Sequence, residues 1–135
     1  MAHYALIDEN NVVVQVITGR NENETVDGIS DWEAHYSEQT GLRALRTSYN
    51  TSGGVHYDPE TRQPSADQSK ALRYNYAAPG FTYDEANDAF VPVKLFDSWI
   101  LNQEKMAYEP PTPMPEDGQP YGWNEATEAW EVIGA

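Results

Sequence analysis

A chain of 135 residues makes one domain, or one domain with a small appendage, and its 39% hydrophobic and 12% aromatic content supports a modest core in which aromatics replace scarce aliphatics. The absence of cysteine removes disulfides, thiolate metal sites and cysteine nucleophiles, and a net charge of -14 argues against nucleic-acid binding, which needs a basic face for phosphate. Met-Ala-His-Tyr-Ala-Leu-Ile-Asp at the N-terminus has neither a basic region nor a long apolar run, so the expectation is a soluble protein made in a cytoplasm, without signal peptide or membrane span.

The charge is unevenly placed. Residues 1–42 hold one basic and eight acidic residues, and residues 81–135 hold two against eleven. Residues 43–80 hold five basic residues (Arg43, Arg46, Arg62, Lys70 and Arg73) against three acidic ones. The plainer reading is an acidic surface that keeps the protein dissolved; the sharper one is a basic middle segment that docks on a partner or on the chain's own acids. On the sharper reading Arg43, Arg46 and Arg73 are interface candidates.

Taken in order, Tyr4 to Ile17 reads as strand, tight turn at Asp8 to Asn11, and strand, with both faces partly covered. Thr18 to Asp27 is a polar loop. Ser30-Asp-Trp-Glu33 has the spacing of a capping box, and a short helix follows to Thr40, with Gly41 placed to end it. Trp32, His35, Tyr36 and Gln39 share one helix face, which packs on the N-terminal hairpin with His35 at its rim. Leu45, Thr47 and Tyr49 alternate in a third strand, so residues 1–50 form a β-β-α-β unit. Residues 51–80 are a loop-rich connector, in which Tyr57-Asp-Pro-Glu-Thr-Arg is a degenerate turn and Leu72 to Ala77 a short alternating strand.

Residues 81–135 say one thing three times. Tyr83-Asp-Glu-Ala-Asn-Asp-Ala-Phe90, Leu101-Asn-Gln-Glu-Lys-Met-Ala-Tyr108 and Trp123-Asn-Glu-Ala-Thr-Glu-Ala-Trp130 align without gaps, and Ile7-Asp-Glu-Asn-Asn-Val12 is a shorter copy. Asp and Asn nucleate turns by bonding their own backbone two residues on, and the flanking aromatics suit a pleated surface. Each copy therefore reads as a short β-hairpin. A helix is the rival, but six residues between aromatics are too few for one, and Pro92 and Pro110 follow directly. Glu109 to Pro120 carries five prolines and forms a stiff extended spacer. The fold class is α+β, mostly β: an N-terminal β-β-α-β unit, then aromatic hairpin repeats with a proline-rich spacer. One compact domain can hold all of it.

Catalytic constellations are missing. The sequence has no Gly-rich phosphate loop, nucleophile elbow or His-Glu-x-x-His, and nothing supports a metal site of His3, His35 and His56, which are far apart. The acid pairs Asp84/Asp88, Glu125/Glu128 and Glu116/Asp117 sit in turns, without the spacing of a calcium loop or the cleft of a glycosidase, and read as solvated turn acids. No catalytic, cofactor or metal residue is expected. The aromatics of the repeat half first supply the core, and the surplus among them form an interface, with Trp99, Tyr108, Tyr121, Trp123 and Trp130 as candidates.

Several stretches resemble a known group. They are Met1 to Val13, Thr47-Ser-Tyr-Asn-Thr51, Leu72-Arg-Tyr-Asn-Tyr-Ala77, Gly80 to Phe90, Phe96-Asp-Ser-Trp-Ile-Leu-Asn102 and Asp117 to Trp130. Together they are similar, in motif order, to short virion-associated proteins of tailed bacteriophages of marine bacteria, notably cyanophages, over most of the chain outside residues 18–40. Ala78-Pro79 and the proline-poor Val91-Pro-Val-Lys-Leu95 depart from the group's pattern in local loops. The resemblance implies a virion structural protein and supplies no catalytic residues. It points to a capsid decoration or cement protein on the head surface, bound by protein-protein interaction to other virion proteins, the major capsid protein first, as a monomer or small homo-oligomer. The second expectation is a tail-associated receptor- or carbohydrate-binding module that stacks a host surface glycan on Trp99, Tyr108, Trp123 or Trp130. Neither expectation involves nucleic acid or membrane.

Overall fold

Asp8 turns the chain at the start of the fold. Its carboxylate accepts from the backbone N–H groups of Asn10 and Val12, at 2.8 and 3.0 Å, and Asn11 takes the left-handed conformation (φ 61°) that the tight turn needs. The computed structural model describes residues 2–134. The turn joins β1 (Ala2–Ile7) to β2 (Val13–Gly19), and β3 (Arg43–Thr47) pairs with β1 from the other side, giving an antiparallel sheet in the order β2-β1-β3. A bulge at Leu6/Ile7 shifts the register and turns Val13, rather than Val12 or Val14, into the core.

Both faces of β1 are buried. Tyr4 and Leu6 meet Trp32 of helix α1 (Trp32–Thr40), with Tyr36 at the margin, whereas Ala5 and Ile7 meet Val13, Leu45, Tyr83 and Phe90 on the opposite face. Gly41 ends the helix at φ 74°, donating its N–H to Ser37 O. The N-cap is Asp31, which accepts from Ala34 N, and not Ser30. The shift has a cause: Glu33, the expected partner of a Ser30 cap, reaches instead to Arg46 N on β3 at 2.7 Å and to Arg73 at 3.1 Å. One turn further along, Ser37 Oγ accepts from Ala44 N at 2.8 Å. The helix thus satisfies the outer edge of β3 with two side chains and leaves it less open to strand addition.

The connector departs from its reading in two places, and the third strand in one. Thr51 to His56 is a small hairpin, β4 (Thr51–Ser52) and β5 (Val55–His56), turned by Gly53 and Gly54 at φ 59° and 84°. Leu72 to Ala77 is not a strand. Arg73 and Tyr74 both hold positive φ, and the segment makes turns whose centre is the buried Asn75. The third strand stops at Thr47, and the Tyr49 ring stands 58% exposed.

The three repeats are hairpins: β6–β7 (Thr82–Asp84, Ala89–Val91), β8–β9 (Ile100–Asn102, Ala107–Glu109) and β10–β11 (Tyr121–Asn124, Ala129–Val132). Ends of the repeat lie directly opposite each other, as Tyr83↔Phe90, Leu101↔Tyr108 and Trp123↔Trp130. The loop closes in the same way each time. Asp84, Asn102 or Asn124 caps the turn through its side chain, and Asp88, Met106 or Glu128 adopts φ near 50°. Tyr57-Asp-Pro-Glu-Thr-Arg-Gln-Pro64 follows the rule too: Asp58 caps the turn, Arg62 takes φ 63°, and Tyr57 bridges Pro64. The fold is α+β and mostly β.

Candidate functional site

Burial falls from one hairpin to the next. Tyr83 and Phe90 of β6–β7 are 5% and 0% exposed and belong to the core beneath β1, so the first repeat is integral to the N-terminal unit. Phe81 O and Gly80 N also pair with Val13, which ties this hairpin to the start of β2. Hairpin β8–β9 packs on the far side of β6–β7 through Met106, which is buried with Ala89 and Val91, while Leu101 and Tyr108 are half-buried around it. No side chain of β10–β11 is fully buried. The array is nearly one-dimensional: β6–β7 joins the N-terminal core, β8–β9 leans on β6–β7, and β10–β11 is held by the segment that enters β8.

Alternation places Tyr121, Trp123, Trp130 and Val132 on one face of the last hairpin, with Gly122, Asn124, Ala129 and Glu131 on the other. Trp123 and Trp130 pack edge to face at 5.3 Å and 72°. Trp99 meets Trp123 at 6.2 Å and 83°, and Phe96 packs on Trp99 at 5.3 Å. Three expected interface residues, Trp99, Trp123 and Trp130, are therefore brought together in one chain of rings, with Tyr121 beside them. Tyr108 lies apart, on the second hairpin, where Lys94 stands 5.5 Å over its ring.

A carboxylate holds this assembly. Glu125, in the loop of the third repeat, accepts from Ser98 N at 3.0 Å, Ser98 Oγ at 2.6 Å and Trp123 Nε1 at 2.8 Å. The bonds from Ser98 and Trp123 keep its carboxyl below the usual range. Trp130 Nε1 donates to Thr112 O at 2.7 Å, and the Tyr121 hydroxyl donates to Asp117 at 2.7 Å, so the proline run is fastened back onto the hairpin at two points. Trp99 Nε1 is buried with no hydrogen-bond partner among the described residues. Glu125, expected as a solvated turn acid, is instead partly buried and bonded, and neither Ser98 nor Phe96 was among the expected interface residues. The one available signal was that a carboxylate or its amide recurs at the third position of every repeat.

The three candidate arginines do not join the tryptophans. Arg43 pairs with Glu85 and lies 5.3 Å over the Tyr83 ring; Arg46 pairs with Glu22 at 2.7 Å. Arg73 bonds Asp88 at 2.8 Å, Glu33 at 3.1 Å and Arg46 O at 2.7 Å. Burial opposes the Arg73 charge, but Asp88 and Glu33 outweigh it and raise its pKa. Of the two uses open to the basic middle segment, docking on the chain's own acids is the one these arginines make. A cleft of about 430 Å³ beside the helix is lined by Tyr4, Trp32, Glu33, Arg46 and Arg73, and its charges are paired across it.

Among the described residues no group of three or more His, Asp or Glu is placed to hold a metal ion, and no helix is long and apolar enough to cross a membrane. The aromatic face can bury apolar surface and accept or donate a few hydrogen bonds, which is the chemistry of adhesion. In the comparisons with known proteins, no family model, curated protein or solved structure matches the chain.

Proposed function

We propose that this chain is a structural protein of a tailed-phage virion, a capsid decoration or cement protein that grips the head surface through its last hairpin. The observation that carries this reading is the burial gradient. Tyr83 and Phe90 are buried in the first hairpin and Met106 in the second, whereas the final one has no buried side chain and keeps Tyr121, Trp123 and Trp130 partly exposed on a single face with exposed Val132. Tyr and Trp are favoured anchors in protein interfaces. The resemblance to virion-associated proteins of marine phages supports the same assignment, and a net charge of -14 keeps free copies apart before they find the particle.

The tail-associated glycan module is the second reading, and the ring geometry at the tryptophans weighs against it. Sugar stacking needs an open, flat ring face, whereas Trp99, Trp123 and Trp130 meet edge to face and cover one another. A protein partner that fills the remaining apolar gap fits better.

Quantitative mass spectrometry of purified virions tests the assignment. A decoration protein occurs at on the order of hundreds of copies per particle, as a repeated surface lattice requires, and Trp123→Ala lowers that occupancy. Absence from the particle overturns the reading, and a handful of copies moves the protein to the tail.

A further inference from the structure

Five of the eight basic side chains are held in ion pairs with the chain's own acids: Arg20 with Glu24, Arg43 with Glu85, Arg46 with Glu22, Arg73 with Glu33 and Asp88, and Lys105 with Glu109. Lys94 lies over Tyr108. Arg62 and Lys70 alone have neither an acidic nor an aromatic partner among the described residues. Both are exposed, and both open onto the same place. Lys70 lines a cleft of about 540 Å³, Arg62 lines one of about 700 Å³, and the two clefts share Tyr49, Asn50 and Pro59.

The walls of this double groove are firm. The Lys70 carbonyl accepts from the Ser48 and Thr51 hydroxyls, Gln68 bonds both N and O of His56, and His56 Nδ1 meets Ser65 Oγ at 2.9 Å. Of the acids nearby, Glu22 is neutralised by Arg46, Asp58 caps its own turn, and Asp67 caps Ser69 and lies within electrostatic reach of Lys70 without an ion pair to it. At the centre Tyr49 stacks on His3 at 5.7 Å and 27°, and Tyr76 supports both rings edge-on. Unlike the tryptophans, Tyr49 is exposed, at 58%. The amides of Asn23 and Asn50, on the same wall, make no side-chain hydrogen bond within the described residues.

An exposed, backed aromatic ring, free carboxamides and two unpaired cations form a set suited to one chemistry. Flat apolar ring faces lie against the tyrosine, hydroxyls meet the amides, and negative groups meet the guanidinium and ammonium. Cations alone would serve an acidic peptide as well, but the exposed Tyr49 ring and the carboxamides beside them match the apolar face and the hydroxyls of a sugar. We propose that the groove around Tyr49 binds an acidic saccharide chain, with a sugar ring on Tyr49 and carboxylate or sulfate groups on Arg62 and Lys70. None of these residues belongs to the last hairpin, so the inference stands apart from the virion reading.

Calorimetric titration of the full chain with a six-unit oligogalacturonate, maltohexaose and hexaglutamate tests it. The uronate oligomer binds, weakening as salt is added, and the neutral sugar and the peptide bind at least tenfold more weakly. Tyr49→Ala weakens uronate binding about tenfold, the value of one stacked ring. Arg62→Asn, a residue that tolerates the left-handed backbone there, combined with Lys70→Gln removes the salt dependence and leaves the aromatic stack untouched. Trp123→Ala leaves the affinity unchanged. Absence of binding, insensitivity to both the Tyr49 and the Arg62/Lys70 variants, or equally tight binding of hexaglutamate overturns the proposal, the last outcome assigning the groove to acidic peptides.

Discussion

Asn75 fastens three hairpins with one amide. Its Oδ1 accepts from Gly53 N at 2.9 Å, and its Nδ2 donates toward Phe90 O at 2.9 Å, Met106 O at 3.1 Å and Lys105 O at 3.3 Å. The residue is 6% exposed, so water cannot replace these partners when the amide is lost. Asn75→Ala is expected to lower stability by about 2–4 kcal/mol in urea denaturation, the cost of several orphaned buried groups. A loss within the range of an ordinary surface substitution would show that the hairpins hold together without it. None of this was legible in the sequence. Leu72 to Ala77 alternates like a strand, and the positive φ of Arg73 and Tyr74, which aims Asn75 inward, is set by partners 15 to 31 residues away. Local pattern carries no record of such distant acceptors.

At the scale of elements, turn chemistry was readable and long-range capping was not. The three repeats fold as hairpins because an Asp or Asn at the second position closes the loop from within it. Thr51 to His56 escaped notice because its strands are two residues long, although Gly53-Gly54 is a hairpin signal in itself. Ser30 lost the helix cap to Asp31 because Glu33 has better partners on β3 and at Arg73. The tryptophans of the candidate site were found from composition, but the Ser98–Glu125 clasp that gathers them was not. That clasp is the element that acid will release. Because the Glu125 carboxyl is held below its ordinary value, its contribution is present above the unfolded carboxylate pKa of about 4.3 and is lost as pH falls through the lower folded value. Tryptophan fluorescence is expected to change over that acid range before the far-ultraviolet circular dichroism of the sheet does, and Glu125→Gln to shift the neutral spectrum and lose the acid step. A single transition shared by both signals would count against a separable last hairpin.

Across the whole molecule, stability is graded. β1 is buried on both faces, the first repeat shares its core, the second rests on the first, and the third is joined through Trp99, Ser98 and Glu125. Local opening costs least where the fewest apolar groups are buried. Amide hydrogen exchange is therefore expected to be slowest in β1, faster in β6–β7, faster again in β8–β9 and fastest in β10–β11; equal protection in all three hairpins would contradict the gradient. The N-terminal β-β-α-β arrangement was legible because its periods, caps and turns agree with one another. Hidden from the sequence was the docking of Tyr83 and Phe90 beneath β1, since apolar residues advertise burial but not against which neighbour.

The hairpins share one further property, and it concerns how such a chain can vary. Tyr83, Leu101 and Trp123 head their units at separations of 18 and 22 positions, and each turn is closed by side chains of its own unit. A single inserted residue within a strand would exchange its two faces and turn the aromatic pair outward. A whole inserted unit would leave every existing register intact and move only the tip further from the base. Evolution can thus set the reach of this protein in whole steps, while the double-faced sheet that anchors it stays unchanged.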